Sequence, residues 1–210
     1  MTTRVELVTT SGVFSLDGDD FEVENNIWIV GDDDEVLIVD AAHDAAPIAE
    51  GVGDRMVVAI VCTHGHNDHI NAAAALAQRV GRPPVLLHPD DRMLWDAVYP
   101  DTAPDGSLAD GDRLHVAGTE LTVLHTPGHS PGGICLHDGQ GTRLFAGDTL
   151  FRGGPGATGR SYSDFPTIID SIRTKLFALP AETVVAPGHG ETTTIGDEAP
   201  HLAEWVARGS

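Results

Sequence analysis

Seven histidine and aspartate residues have the types and spacing of metal ligands. They lie in four short motifs, at residues 63–69, 126–129, 146–149 and 187–190, and they are His64, His66, Asp68, His69, His129, Asp148 and His189. Imidazole nitrogens and carboxylate oxygens bind divalent ions such as zinc, and one tetrahedral ion takes about four of them. Seven candidates therefore predict two ions. Because a two-metal site turns water into a nucleophile near neutral pH, the motifs predict a hydrolase.

The spacing within the motifs suits such a site. His64 and His66 are two residues apart in an extended segment, so both rings can face the same side. Asp68 and His69 come at the first turn of the next predicted helix, where we expect them to face a second ion. Asp148 has two carboxylate oxygens and can bridge the ions. Each motif alone is weak, since Pro-Gly-His or Gly-Asp-Thr is usually a turn, but four in one chain indicate a metal centre.

Short apolar runs broken by glycine, aspartate and proline predict the elements that position these motifs. The predicted strands are 5–8, 13–16, 26–30, 36–40, 57–62, 85–88, 121–125, 133–137, 143–146 and 183–187. The predicted helices are 45–50, 68–80, 89–97, 165–178 and 199–207, and the predicted loops are 99–112 and 152–164. Two strand-rich halves, each followed by helices, predict two packed sheets with helices outside, a four-layer αββα sandwich of the α/β class. We expect one domain over residues 1–210, because the chain is too short for two well-filled cores.

The composition excludes several partners. The formal charge is −20, from 32 acidic against 12 basic residues, and Lys175 is the one lysine. Such a surface repels phosphate backbones and anionic lipid, so we expect no nucleic-acid or membrane partner. No apolar run is long enough for a membrane span and no signal-peptide pattern is present, which predicts a cytoplasmic location. Cys62 and Cys135 lie in apolar runs and are expected to be buried free thiols.

The four motifs, in this order, resemble those of the metallo-β-lactamase superfamily, and within it the glyoxalase II (hydroxyacylglutathione hydrolase) branch, over about residues 25–190. The resemblance implies the same αββα sandwich. It also implies two ligand sets bridged by Asp148: His64, His66 and His129 for a first ion, and Asp68, His69 and His189 for a second. The β-lactamases of this superfamily lack the bridging carboxylate, so Asp148 favours the thioesterase-like branch.

The resemblance also implies a reaction. A hydroxide shared by the two ions attacks the carbonyl of a small acyl thioester, and Asp68 orients that hydroxide as the catalytic residue. A thiolate leaves readily, because thiols have a pKa near ~8.5, so no general acid is predicted. We expect the ions to be zinc, with iron and manganese as alternatives that accept the same ligands.

The candidate substrate-binding residues come from a resemblance over one four-residue segment. Gly159-Arg160-Ser161-Tyr162 resembles the segment with which glyoxalase II contacts glutathione. Arg160 and Tyr162 are therefore candidate substrate-binding residues, with a structural loop contact as the equal alternative, and Arg160 could hold a carboxylate. One predicted helix, around residues 200–208, follows His189, so we expect the C-terminal helical domain of that branch to be absent. This expectation favours a shorter glyoxalase or a hydrolase of another small-thiol ester, and it leaves the thiol of the substrate open.

Other functions stay open at this point. The main alternative is a mononuclear iron persulfide dioxygenase, from a sister branch that shares the first motif but carries Gly-Arg-Thr-Asp where this chain has residues 159–162. A lactonase of the same superfamily is another alternative, and a metal-binding scaffold without activity is a third. We expect such a scaffold to have lost a ligand, whereas all seven candidates are present.

Three residues outside the motifs are predicted to support the site. Asp40 follows an apolar run and is expected to brace the ligand loops. His125 precedes the second motif and is expected to orient a ligand, as residues behind metal ligands do. His43, which follows residues 39–42, is expected to lie near the cleft.

Overall fold

A computed structural model describes residues 3–140 and 142–209 and organises them around two six-stranded mixed sheets. The strands are β1 Arg4–Leu16, β2 Asp19–Gly31, β3 Glu35–Val39, β4 Met56–Val61, β5 Val85–Leu87, β6 Gly106–Ser107, β7 Arg113–Val116, β8 Thr119–His125, β9 Ile134–Asp138, β10 Arg143–Gly147, β11 Leu150–Phe151, β12 Gly154–Pro155, β13 Val184–Pro187 and β14 Thr193–Thr194. The helices are α1 Ala45–Val52, α2 Asn67–Ile70, α3 Ala73–Arg79, α4 Arg92–Val98, α5 Phe165–Ser171, α6 Ile195–Glu198 and α7 Leu202–Arg208. Within these two ranges, no helix is long and apolar enough to cross a membrane.

The first sheet has the strand order β1-β2-β3-β4-β5-β6. β1, β2 and β3 pair antiparallel, and β3 to β6 pair parallel. Asp17 and Gly18 join β1 to β2 in a two-residue turn, and both have the positive φ that such a tight hairpin turn requires. β3 and β4 are apolar and largely buried along their length, because layers cover both faces of this part of the sheet.

The second sheet has the strand order β14-β13-β10-β9-β8-β7. β10 and β13 pair parallel, and the other neighbours pair antiparallel. Because β8 and β10 both run antiparallel to β9, the strands β8, β10 and β13 share one direction. Their carboxyl ends therefore lie along one edge of the sheet.

Three apolar cores hold four layers together. Val61 of β4 and Phe145 of β10 belong to the core between the two sheets. Trp95 belongs to the core in which α1, α3 and α4 cover the outer face of the first sheet. Ile168 and Trp205 bring α5 and α7 onto the outer face of the second sheet. The layers confirm the predicted αββα sandwich, while the extent of one domain over residues 1–210 stays a prediction.

The first strand is longer than the sequence predicts. Residues 5–8 and 13–16, predicted as separate strands, both belong to β1, because β2 offers a partner to every residue from Arg4 to Leu16. The small polar residues between the two runs resemble a turn signal, and cross-strand pairing overrides that local preference. The predicted loops 99–112 and 152–164 contain the short strands β6 and β12.

The helix predicted over residues 68–80 is divided into α2 and α3. α2 ends at Ile70 and α3 begins at Ala73. Between them, the side-chain oxygen of Asn71 accepts a hydrogen bond from the backbone nitrogen of His43 at 2.6 Å. The backbone leaves the helical pattern at this point, because the nitrogen of Ala72 donates to the oxygen of Ala41 at 3.0 Å and the oxygen of His69 accepts from the nitrogen of Ala41 at 2.9 Å. The other predicted helices differ less: 3₁₀ turns at Pro89–Asp91 and Ala199–His201 precede α4 and α7, and a π-helical turn at Ile172–Leu176 continues α5.

Candidate metal centre

All seven predicted ligands lie in one cleft to which both sheets contribute. The four motifs begin where β4, β8, β10 and β13 end. The last three of these strands run in one direction, so the loops beyond them share an edge. Loops that a rigid sheet holds at one edge commonly carry binding residues.

His64, His66 and His129 form a first cluster, with one ring nitrogen of each within 4.8 Å of the others. Nε2 of His64 lies 2.9 Å from Nδ1 of His66, and that atom lies 3.0 Å from Nε2 of His129. Burial, with a smaller contribution from His129, lowers the pKa of His66 to about 3, so this ring is neutral near pH 7. Neutral imidazoles whose nitrogens converge are suitable donors for a divalent ion.

Asp68, His69 and His189 form a second cluster. Nε2 of His69 lies 3.2 Å from Nε2 of His189 and 3.6 Å from Oδ2 of Asp68. Nε2 of His189 lies 3.3 Å from Oδ2 of Asp68. A tetrahedral ion with bonds of ~2.1 Å separates its ligands by ~3.4 Å, so this spacing fits one divalent ion. Burial disfavours a charged His189 ring, but the carboxylates of Asp148 and Asp68 outweigh burial and raise its pKa to about 10.

Asp148 lies between the two clusters. Its Oδ1 is 3.4 Å from Nε2 of His69, and its Oδ2 is 3.6 Å from Nε2 of His129 and 3.4 Å from Nε2 of His189. Burial alone would raise the pKa of this carboxyl, but the rings of His69 and His189 outweigh it and hold the pKa well below its usual value. A charged carboxylate that contacts both clusters occupies the position of a bridge.

Several buried polar atoms of this cleft have no protein partner. Among the described residues, four buried side-chain polar atoms lack a hydrogen bond, and three of them belong to the cleft: Nε2 of His66, Oδ1 of Asp68 and Oδ1 of Asp148. Buried polar groups are nearly always paired, because an unpaired one costs about 1–3 kcal/mol. The unpaired Oδ1 of Asp148, which lies between the two clusters, and the spacing of the ligand atoms within each cluster fit divalent metal ions as the missing partners.

Asp40 supports the ligands as predicted. Its Oδ2 accepts a hydrogen bond from Nδ1 of His69 at 2.8 Å. The backbone nitrogen and the hydroxyl of Thr63 donate to the same carboxylate at 2.7 and 2.9 Å. Asp40 therefore joins the start of the first motif to a ligand of the second cluster, and its φ of 66° is a strained conformation of the kind found at functional sites.

Asp91 supports the first cluster and was missed by the sequence analysis. Its buried carboxylate accepts hydrogen bonds from the backbone nitrogens of Gly65 and Gly132, at 2.8 and 2.5 Å, and from the hydroxyl of Ser130 at 2.7 Å. Gly65 belongs to the first motif, and Ser130 directly follows the second. The pair Asp90-Asp91 resembles an ordinary helix start, so no local signal marks this carboxylate.

Asn25 supports the second cluster and was also missed. Its side-chain nitrogen lies 3.2 Å from Oδ2 of Asp68, 3.3 Å from Nε2 of His69 and 3.4 Å from Nε2 of His189. Its side-chain oxygen lies 2.8 Å from Nε2 of His43, which places His43 near the cleft as predicted. Asn25 is fully buried, and its position on the cleft face of β2 is set by pairing with β1.

His125 does not take the predicted role behind a ligand. Its Nε2 donates to the backbone oxygen of Pro131 at 2.9 Å, and its ring stacks on His88 with the centroids 4.0 Å apart. The ring therefore contacts the loop after the second motif and His88, which directly follows β5, and among the described residues no hydrogen bond joins it to a predicted ligand.

The two candidate substrate-binding residues lie on the loop that borders the cleft. Arg160 lines a small outer cavity, and its Nη1 is 3.1 Å from Oδ2 of Asp19. Tyr162 is more than half exposed and has a φ of 70°. It is not among the residues that line the cavities over the ligands.

A cavity of about 200 Å³ opens directly onto both clusters. Ligand side chains form its floor, and its other walls are apolar: Phe14, Val23, Phe151 and Ala157. A small organic group can therefore lie against the ligands with its reacting atoms at the centre of the cleft.

Comparison with known proteins identifies relatives of this fold and site. The family model described as the metallo-beta-lactamase superfamily matches residues 21–189. The hydroxyacylglutathione hydrolase GloC of Haemophilus influenzae is 33% identical over 191 residues, which cover 83% of this chain and 90% of that protein. The crystal structure of the B3 metallo-beta-lactamase BLEG-1 superposes with a TM-score of 0.77 at 29% identity, over 92% of this chain and 98% of that one. TTHA1623, crystallised in a di-iron-bound form, superposes with a TM-score of 0.73 at 32% identity, over 84% and 93%.

Proposed function

The chain belongs to the metallo-beta-lactamase superfamily, and we propose that it is a two-metal hydrolase of small acyl thioesters. The observation that carries this proposal is the carboxylate of Asp148, which contacts ligands of both clusters. A carboxylate in this position has one oxygen for each of two ions. The similarity to a hydroxyacylglutathione hydrolase supports a thioester as the substrate class.

The proposed ligand sets follow the two clusters. His64, His66 and His129 hold one ion, Asp68, His69 and His189 hold the other, and Asp148 is shared. When bound, such a pair of ions lowers the pKa of a bound water and polarises a carbonyl. Asp40 keeps the ring of His69 in place through its hydrogen bond to Nδ1. Zinc, with iron and manganese as alternatives, stays a prediction, as does the cytoplasmic location.

Asp68 is the proposed catalytic residue. Its Oδ2 faces His69 and His189, while its Oδ1 is buried without a protein partner. A carboxylate oxygen in that position can accept a hydrogen bond from the attacking water and orient it toward the carbonyl. The thiolate that leaves needs no protonation by the protein, because thiols have a pKa near ~8.5.

Arg160 and Tyr162 are the proposed substrate contacts on the bordering loop. Arg160 reaches the outer cavity, which supports a contact with the part of the substrate that projects from the ligands. Tyr162 is exposed, so it can contact a substrate only beyond that cavity.

Metal content and turnover, measured on the same samples, test the proposal. Protein loaded separately with zinc, iron and manganese is assayed with S-lactoylglutathione and with smaller acyl thioesters. We expect about two ions per chain and release of a thiol, and we expect Asp148→Ala to lower kcat/KM by roughly 100-fold, the upper range for changes around metal sites. His115→Ala, at an exposed position on β7, is the matched control.

Three results would overturn the proposal. The first is no hydrolysis of any thioester by protein that carries two ions. The second is one iron per chain together with oxygen consumption, which indicates the persulfide dioxygenase. The third is hydrolysis of lactones in place of thioesters.

A further inference from the structure

One face of the β1–β2 hairpin runs from the metal centre to the rim of the cleft. The strand register pairs Thr10 with Asn25, Gly12 with Val23, Phe14 with Phe21, and Leu16 with Asp19. Because side chains alternate along a strand, these eight residues share one face. That face looks into the cleft, since Asn25 contacts Asp68 and the ring of Phe14 lies 5.2 Å from the ring of His66.

The polarity of this face changes with distance from the ligands. Val23 and Phe14 line the inner cavity, and Phe21 stacks on Phe14 with the ring centroids 6.2 Å apart. Asp19 then follows at the tip, six residues from Asn25, which corresponds to ~20 Å of extended strand. A substrate whose carbonyl lies at the ligands therefore meets an apolar segment first and a carboxylate beyond it.

The loop opposite this face is tied to the hairpin tip. Nη1 of Arg160 lies 3.1 Å from Oδ2 of Asp19, and the backbone nitrogen of Ser161 donates to Oδ2 of Asp17 at 3.0 Å. The guanidinium of Arg160 also lies 4.8 Å from the centroid of the Phe21 ring. Arg160 is the single arginine or lysine among the residues lining the two cavities, and its charge is already matched by Asp19.

We call the hairpin tip and the Arg160 side chain bound to it the rim of the cleft. The rim carries a net negative charge, because Asp17 and Asp19 outnumber Arg160. The cavities are also small: about 200 Å³ at the ligands and about 90 Å³ beneath Arg160. Pockets for drug-sized ligands occupy roughly 300–1,000 Å³. An anionic peptide such as glutathione would meet two carboxylates at the rim and no unpaired cation from the cavity walls.

Resting on the proposed thioester hydrolysis, we propose that the thiol half of the substrate lies along this hairpin face and is uncharged or cationic. In the reaction, water adds to the thioester carbonyl, the C–S bond breaks, and a carboxylic acid and a thiol are released. The rings of Phe14 and Phe21 suit an alkyl chain or a quaternary ammonium group, which aromatic faces attract. The net negative charge that Asp17 and Asp19 leave after pairing with Arg160 then favours a positive charge at the outer end of the substrate and disfavours a negative one.

Three acetyl thioesters of similar size test this preference: acetylthiocholine with a positive charge, S-acetyl-N-acetylcysteamine with none, and 3-(acetylthio)propionate with a negative charge. We expect kcat/KM for the cation and the neutral ester to exceed that for the anion by about two- to fivefold at low salt, the scale of exposed charge contacts. The difference should shrink as salt screens the rim. Equal rates for the three esters, a preference for the anion, or hydrolysis of S-lactoylglutathione with none of the cationic and neutral esters overturns this inference. The proposed function fails separately, when protein that carries two ions hydrolyses no thioester, S-lactoylglutathione included.

Two variants test whether charges at the rim cause the preference for cationic over anionic esters. Asp19→Asn should reduce the ratio of cation to anion turnover, and Arg160→Gln should increase it, because Asp19 loses its partner. Asp54→Asn is the matched control: it removes the same charge from an exposed turn before β4, at the strand end opposite the ligands. Equal ratios in Asp19→Asn, Asp54→Asn and the unchanged protein contradict the inference.

Discussion

Oδ2 of Asp91 lies 2.8 Å from the backbone nitrogen of Gly65, the residue between the ligands His64 and His66. The same oxygen accepts a hydrogen bond from the hydroxyl of Ser130, one residue after the ligand His129. One buried carboxylate therefore joins the two loops that supply the first cluster. The closeness also explains the glycine, because a Cβ at position 65 would lie 2.9 Å from the backbone oxygen of Asp91.

Asp91→Asn tests this bracing role. The amide keeps the size of the side chain but turns one acceptor into a donor that faces N–H groups. We expect a loss of about 1–3 kcal/mol in unfolding free energy, the cost of buried donors left unpaired, and weaker binding of one ion. Denaturant unfolding of the metal-free protein and a metal titration measure the two effects. Asp90→Asn, at the exposed neighbour, should leave both unchanged, and equal behaviour of the two variants would refute the role.

Asn25 and His43 should control the second cluster. The side-chain nitrogen of Asn71 donates to Nδ1 of His43, so the Nε2–H of His43 donates to Asn25 and turns the Asn25 amide nitrogen toward Asp68. We expect Asn25→Ala or His43→Leu to lower the affinity for one of the two ions by about 10–100-fold, as changes to residues behind metal ligands do. Stepwise metal titration provides the readout.

His43→Gln should restore part of the lost affinity, because glutamine can supply the donor that leucine lacks. His201→Leu, at an exposed turn near the C-terminal helix, is the control. If Asn25→Ala binds both ions as tightly as the unchanged protein, the hydrogen bonds that link Asn71, His43 and Asn25 have no role in metal binding.

Gly188→Ala should damage the second cluster without changing a ligand. A Cβ at this position would lie 2.4 Å from Oδ1 of Asp148 and 2.6 Å from Cε1 of His69, so one of these side chains must move. We expect lower metal content and lower turnover, measured by elemental analysis and thiol release. Gly154→Ala is the matched control, because its Cβ would meet its nearest neighbour at an ordinary 3.6 Å. Full metal content in Gly188→Ala would contradict a role for this tight packing in metal binding.

The two cysteines should be inert in the folded protein. Both are buried and free, and burial raises the pKa of Cys62 above its usual value and that of Cys135 to about 11. Because the thiolate is the reactive form, iodoacetamide at pH 8 should modify neither thiol in the native protein and both after unfolding. Mass spectrometry counts the additions. Rapid modification of the native protein with loss of turnover would instead indicate a reactive cysteine at the site.

Local sequence patterns predicted the buried, apolar strands correctly. They failed for elements whose bounds are set by hydrogen bonds to distant residues. β3, β4 and β10 are apolar runs between turn residues, and the structure places them close to the predicted bounds. β1 differs because residues 9–12 resemble a turn until β2 pairs with them. The break between α2 and α3 likewise depends on a distant partner, because the backbone of Ala41 bonds to His69 and Ala72 in place of their helical partners.

The sequence by itself determined the candidate ligands, because metal-binding chemistry limits the residue types and a strand followed by a turn limits their spacing. His64, His66 and Asp68 are recognisable within one short segment. Only the tertiary structure decided what surrounds them. Asp91 reaches Gly65 across 26 positions, and Arg160 reaches Asp19 across 141. Such partners carry no local signal, because each hydrogen bond depends on how separate loops pack against the two sheets.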